Sequence, residues 1–106
     1  MELMMKVDID FSVFTSPSDA YGNVTGSLEL CALPAVGDRV SFLFARDSSL
    51  PGSSFDGFLV VTDRRFDAEQ GTCTIGLEEL VATSASEAEM LMKYFEAGFG
   101  LLAYRY

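Results

Sequence analysis

Histidine is absent from the 106 residues. That removes Ser-His and Cys-His nucleophile pairs, histidine-ligated metals and any imidazole pH switch together. Cations are scarce as well: seven Lys and Arg stand against sixteen Asp and Glu, a net charge of -9. Such a surface repels phosphate, which speaks against DNA or RNA binding and against attraction to anionic lipid. No apolar run approaches the roughly 20 residues of a membrane span. The opening, Met1 to Phe14, carries Glu2, Lys6, Asp8 and Asp10. It leaves no apolar core for a signal peptide, so a cytoplasmic protein is expected. Cys31 and Cys73 are too distant in sequence for a close-spaced zinc or redox pair. Both are expected to be reduced and buried as small hydrophobes.

What the chain does have is apolar mass. Hydrophobic residues make up 49%, with nine Phe and four Tyr, which excludes a disordered acidic tail and suits one domain over residues 1–106. The dominant period is two. Val7, Ile9, Phe11 and Val13 alternate with Lys6, Asp8, Asp10 and Ser12, the pattern of a half-buried strand over Lys6–Phe14. Thr15 to Thr25 clusters Ser, Pro, Asp, Gly and Asn and reads as a loop. Strands are expected at Gly26–Ala32 and, after a turn at Pro34 and Gly37-Asp38, at Arg39–Ala45. Asp47 to Asp56 reads as an exposed hairpin loop. Gly57–Phe66 follows as a strand buried on both faces at Phe58 to Val61, then a turn at Asp67–Gly71 and a strand at Thr72–Leu77.

The period then changes. Ser84 with Glu87 has the form of a capping box, and Ser86 with Glu89 offers a second register. Behind it Ala88, Leu91, Met92 and Phe95 make one apolar stripe of a helix over about 85–97, stopped by Gly98. Leu101–Tyr106 adds a short last strand. The pattern predicts a mainly β, α+β domain: a small antiparallel six-stranded barrel with a C-terminal helix.

Candidate site residues are few. Asp8 and Asp10 project to the same side of their strand, as half of an oxygen-rich cation site would require, but a solvated strand face is the expected reading. Glu78 and Glu79, as strand neighbours, point to opposite faces, against an acid/base pair. The local basic cluster is Asp63-Arg64-Arg65-Phe66-Asp67. Arg65 shares a face with the two Asp residues, where ion pairing neutralises it, whereas Arg64 lies with Phe66 and is available to an anion or a base. No phosphate loop or dinucleotide fingerprint occurs. Neither catalytic residues, nor a metal, nor a cofactor are expected, and the chain is read as a non-enzyme.

The succession Gly26-Ser27-Leu28-Glu29-Leu30, Val36-Gly37-Asp38-Arg39-Val40-Ser41-Phe42, Gly57-Phe58-Leu59-Val60-Val61 and Thr74-Ile75-Gly76-Leu77-Glu78 continues into a helix ending Met92-Lys93-Tyr94-Phe95. Over about residues 5–97 this order resembles a PilZ domain, which implies a six-stranded barrel closed by a C-terminal helix. PilZ domains that sense cyclic di-GMP carry Arg-x-x-x-Arg in an N-terminal arm and [Asp/Asn]-x-Ser-x-x-Gly before the second strand. At the second place stands Asn23-Val24-Thr25-Gly26-Ser27, with Thr for Ser and the glycine two residues early. Asp47 to Gly52 matches that motif literally but in the wrong loop. At the first place the one basic residue before Arg39 is Lys6. Two phosphates and two guanines need guanidinium partners, so cyclic di-GMP binding is not expected. Asn23, Thr25, Gly26, Arg64 and Arg65 remain as candidate ligand-binding residues. The resemblance implies a regulatory or adaptor module working through protein contacts. The acidic charge also suits a small inhibitor or immunity protein that covers a basic toxin or enzyme site. Either way the expected partner is a protein with a basic surface, and a homodimer stays open.

Overall fold

The computed structural model describes residues 4–45 and 48–106. Nine strands and one helix are assigned among these: β1 (Met5–Ser16), β2 (Asp19–Leu30), β3 (Arg39–Ser41), β4 (Phe44–Ala45), β5 (Ser48–Ser49), β6 (Phe58–Phe66), β7 (Cys73–Leu77), β8 (Leu80–Val81), α1 (Ala85–Phe99) and β9 (Leu102–Arg105). A seven-stranded sheet runs in the order β3-β6-β7-β1-β2-β9, with β8 also paired to β1, and β4 and β5 form a separate hairpin.

The expected six-stranded antiparallel barrel is corrected. The sheet is open and mixed, because β1 pairs with β7 and β8 in parallel and with β2 antiparallel. The cause is the Cys31–Asp38 crossover, which carries the chain from β2 to the far edge at β3. The return through β6 then delivers β7 beside β1, running the same way.

Alternation along β1 holds as expected. Val7, Ile9, Phe11 and Val13 are buried, and the residues between them face outward. Thr15–Thr25, expected as a loop, is instead mostly strand. The tight turn at Pro17-Ser18 launches β2 at Asp19, and the pairing with β1 continues from Asp19 to Leu30 with register shifts near Phe14. β2 tolerates its glycines because other elements press on them. A Cβ on Gly22 would meet the Tyr104 carbonyl oxygen of β9 and lie 2.6 Å from Cε of Met92 on α1.

Three smaller expectations also shift. The strand over Arg39–Ala45 is split into β3 and β4. On β6, Leu59 and Val61 are buried but Phe58 and Val60 only partly, so the strand alternates rather than burying both faces. Part of the Asp47–Asp56 stretch packs down: Leu50 and Phe55 lean on the core, and Ser54 Oγ donates to the Glu87 carboxylate at 2.7 Å. Asp47 itself lies outside the described residues.

α1 closes one side of the sheet. Ser84 caps it, accepting from the Glu87 amide at 3.1 Å. The Glu87 carboxylate does not return to Ser84; the Thr83 and Ser54 hydroxyls hold it, and their bonds lower its pKa. The helix runs through Gly98 and ends at Gly100, whose φ of 67° is left-handed. The Gly100 amide reaches back to the Glu96 carbonyl, the bond of an αL ending, and the amide of the buried Leu101 to the Phe95 carbonyl. The expected stripe Ala88, Leu91, Met92 and Phe95 is fully buried. Phe95 stacks edge-on against Phe11 and Phe42, with Phe55 and Phe99 beside it. The buried Tyr94 hydroxyl donates to the Phe42 carbonyl, and burial raises its pKa.

A charged clasp ties α1 to the β9 edge. Arg105 reaches Glu89 through Nε at 3.0 Å and Nη2 at 2.8 Å, and Glu96 at 2.9 Å. The Tyr21 hydroxyl donates to the same Glu89 carboxylate at 2.7 Å. Arg105 first and Tyr21 second pull the Glu89 pKa from its ordinary 4.5 down to about 2. The same contacts raise the pKa of both donors. A depressed carboxylate stabilises the fold fully above its unfolded value and loses that contribution as pH falls from 4.5 toward 2. Glu89→Gln is therefore expected to cost about 1 kcal/mol at pH 7, discounted for solvent screening, and progressively less below pH 4.5. Urea midpoints of both proteins across that range check it; a gap that stays constant with pH would contradict it.

Candidate functional site

The face of the sheet away from α1 carries the outward residues of β1 and its neighbours. The register lays Asp63, Gly76, Asp10 and Thr25 in one row across β6, β7, β1 and β2. Arg65, Thr74, Asp8 and Ser27 form the next. Between them lies a shallow hollow of about 570 Å³, bordered by Asp10, Ser12, Asn23, Thr62, Asp63, Arg65, Gly76, Glu78 and Glu79.

Two irregularities shape it. On β6 the pairing with β7 slips between Val61 and Asp63, which leaves Thr62 as an extra residue. Along β1, the register moves on by one residue between the Asp10–Gly76 pair and the Val13–Leu80 pair, and Glu78-Glu79 is where β7 breaks from β8. Such bulges bend a strand and re-aim its side chains. Here they bring Glu78 and Glu79, expected on opposite faces, to the rim of the same hollow. Glu78 folds back on β6, accepting from the Val60 amide at 2.6 Å while its own amide donates to the Val60 carbonyl at 2.9 Å. Gly76 forms the floor. A Cβ there would press on Cβ of Asp63 at 3.2 Å.

The carboxylates are held in place by polar neighbours. Asp10 accepts from Asn23 Nδ2 at 3.0 Å and Asp8 from the Ser27 hydroxyl at 2.5 Å. Arg65 pairs with Asp63 at 2.9 Å and lies 3.7 Å from Asp10. Its expected neutralisation is met, by Asp63 and Asp10 rather than by Asp67. Asp67 instead caps the β6–β7 turn, accepting from the Glu69 and Gln70 amides.

The five sequence candidates separate. Asn23 and Thr25, expected in a loop, sit on β2 with Gly26, and with Arg65 the three border this hollow or a second one of about 400 Å³ beside it. Gly26 has φ 144°, and its absent side chain makes room for Leu101. Arg64 stands apart, with its guanidinium carbon 5.5 Å from the Phe66 ring centre. Thr62, Gly76, Ser12, Ser27 and Thr74 were not legible as site residues. Each acquires its place through a pairing between distant segments. Of the cysteines, Cys31 is exposed and Cys73 half-buried, and both are free. The expectation of two buried thiols fails because Cys31 follows the last paired residue of β2.

Chemically, the face offers carboxylates, hydroxyls and one already-paired guanidinium, a surface for donors and cations rather than for anions. Among the described residues no group of three or more His, Cys, Asp or Glu is placed to hold a metal ion. No described helix is long and apolar enough to cross a membrane. No family model, curated protein or solved structure matches the chain.

Proposed function

We propose that the protein is a non-enzymatic binding module, a divergent relative of PilZ domains, that acts through contacts with a basic cytoplasmic protein and binds no cyclic dinucleotide. One observation carries this reading: on the open sheet face, Arg65 is already satisfied by Asp63 and Asp10, so the remaining carboxylates set the sign of the surface. Two phosphates brought to that face meet charge of their own sign. A cationic protein surface meets the opposite sign, which raises its association rate and rejects anionic competitors.

The net charge of -9 favours a second reading, an inhibitor that covers a basic active site. The two separate on the identity of the partner: a toxin or enzyme silenced by stoichiometric addition supports the inhibitor. Pull-down from the source cell is expected to recover a basic protein at low salt and to lose most of it at about 0.5 M NaCl. Equal recovery at both salts, or recovery of no basic protein, counts against the reading.

A further inference from the structure

The 570 Å³ hollow does not end at Gly76. It shares Asp10 and Arg65 with the 400 Å³ hollow, and that one shares Asp8 with a third, of about 330 Å³, which Lys6, Gly71 and Thr72 also border. The three follow one another along the outward face of β1. From Ser12 to Lys6 that is a trough of about 20 Å at roughly 3.3 Å per residue. α1 lies on the opposite side of the sheet, against the buried residues of β1.

We propose that this trough receives an extended segment of a partner protein with arginine or lysine at alternate positions. The proposal rests on the reading of the protein as a module for basic partners and names its contact surface. Three features of the face favour that occupant. Its sign is complementary: five carboxylates border the three hollows (Asp8, Asp10, Asp63, Glu78, Glu79), against Arg65, itself paired, and Lys6 at one end. Its spacing is complementary: Asp8 and Asp10 are two residues apart on one strand, about 6.6 Å, the repeat of same-side residues in any extended chain. Asp8 holds one neutral hydrogen bond, from Ser27, and Asp10 holds one from Asn23 beside the longer 3.7 Å approach of Arg65, which leaves lone pairs on both for charged donors.

The third feature is apolar. Beyond Thr25, in the row of Asp10, and beyond Asn23, in the row of Ser12, β9 places Leu102 and Tyr104, each 56% exposed. Large apolar side chains standing beside a charged trough give the aliphatic stems of lysine and arginine a surface to lie on. A second copy of this chain is disfavoured as occupant, because it brings the same net charge of -9.

The test uses the whole chain and blocked, fluorescein-labelled peptides of about nine residues, the length that spans the trough. One alternates arginine with threonine; another has the same composition with the arginines contiguous. The alternating peptide is expected to bind at least about fivefold tighter, because its charges match the strand repeat. The double variant Asp8→Asn, Glu79→Gln is expected to weaken it about tenfold, or 1.4 kcal/mol. Asp19→Asn, Glu69→Gln removes the same charge from the start of β2 and the β6–β7 turn, outside the trough, and is expected to change affinity less than about twofold. Thermal melts confirm that each variant is folded, and amide shifts are expected along β1, β7 and β2. Equal affinity for both peptides, or equal weakening by both variants, overturns the proposal. A cellular basic partner still retained by Asp8→Asn, Glu79→Gln also overturns the trough but leaves the binding-module reading standing. A trough that binds the peptide while the cell yields no basic partner overturns that reading alone.

Discussion

Phe95→Ala is expected to destabilise the protein by about 3–5 kcal/mol, the range for truncating a fully buried aromatic. Phe95 has no solvent exposure and lies among Phe11 of β1, Phe42 after β3, Phe55 of the following loop and Phe99 of its own helix. Its removal opens a cavity bounded by four segments of chain. The β1 side cannot collapse into it without breaking the sheet, and this places the cost toward the upper end. In a domain of this size each kcal/mol moves Tm by about 4–8 °C, so a fall of at least about 12 °C is expected. Urea unfolding gives the free energy directly. A Tm within a degree or two of wild type would show that this side of α1 does not hold the core.

Gly22→Ala is expected to cost about 2–3 kcal/mol, although it adds a single methyl group. The new Cβ would enter the space of the Tyr104 carbonyl oxygen and come 2.6 Å from Cε of Met92. Met92 can swing aside, but a backbone carbonyl moves only if β9 moves with it. The loss is therefore expected to appear locally as well, in faster hydrogen exchange of β9 amides than of β1 amides. Gly52→Ala, with nothing within 4 Å of its Cβ, serves as the comparison and should stay within about 0.5 kcal/mol of wild type. If the two variants melt alike, β9 does not press on Gly22.

Gly22 also shows why half of the first hairpin was hidden in the sequence. β1 was legible because one face is buried and the other wet, so its alternation is complete. In β2 the inward positions include two glycines, at 22 and 26, placed there by close neighbours rather than by hydrophobicity. A stretch carrying Pro17, Asp19, Gly22, Asn23 and Gly26 then looks like turn material, though only its beginning turns. The Ser84 cap and the apolar stripe of α1 were legible for the opposite reason: both are local patterns, read within one or two turns of helix. Sheet closure was not local. Whether β7 lands parallel or antiparallel to β1 depends on how the Cys31–Asp38 crossover travels, and no periodicity within a strand encodes that. The candidate site follows the same division. Asp8, Asp10, Asp63 and Arg65 were visible as charges on strand faces. Their meeting, the bulge at Glu78-Glu79 and the floor at Gly76 came from pairings made across the chain.

The parallel pairing has a consequence in time. Asp8 of the central strand finds its partner Thr74 66 residues later, and the outer edge of β2 is covered, among the described residues, by β9, which follows α1 in the chain. During synthesis the β1–β2 hairpin therefore stands alone, twelve residues long on each side, with unpaired amides along both margins. Contacts of such long range slow folding, and an exposed strand edge is a template for pairing with neighbouring chains. The charge that sets how the mature surface is recognised is already present on this hairpin, with Asp8, Asp10, Asp19 and Glu29 against Lys6. Until β7 and β9 arrive, mutual repulsion between nascent chains keeps those margins apart.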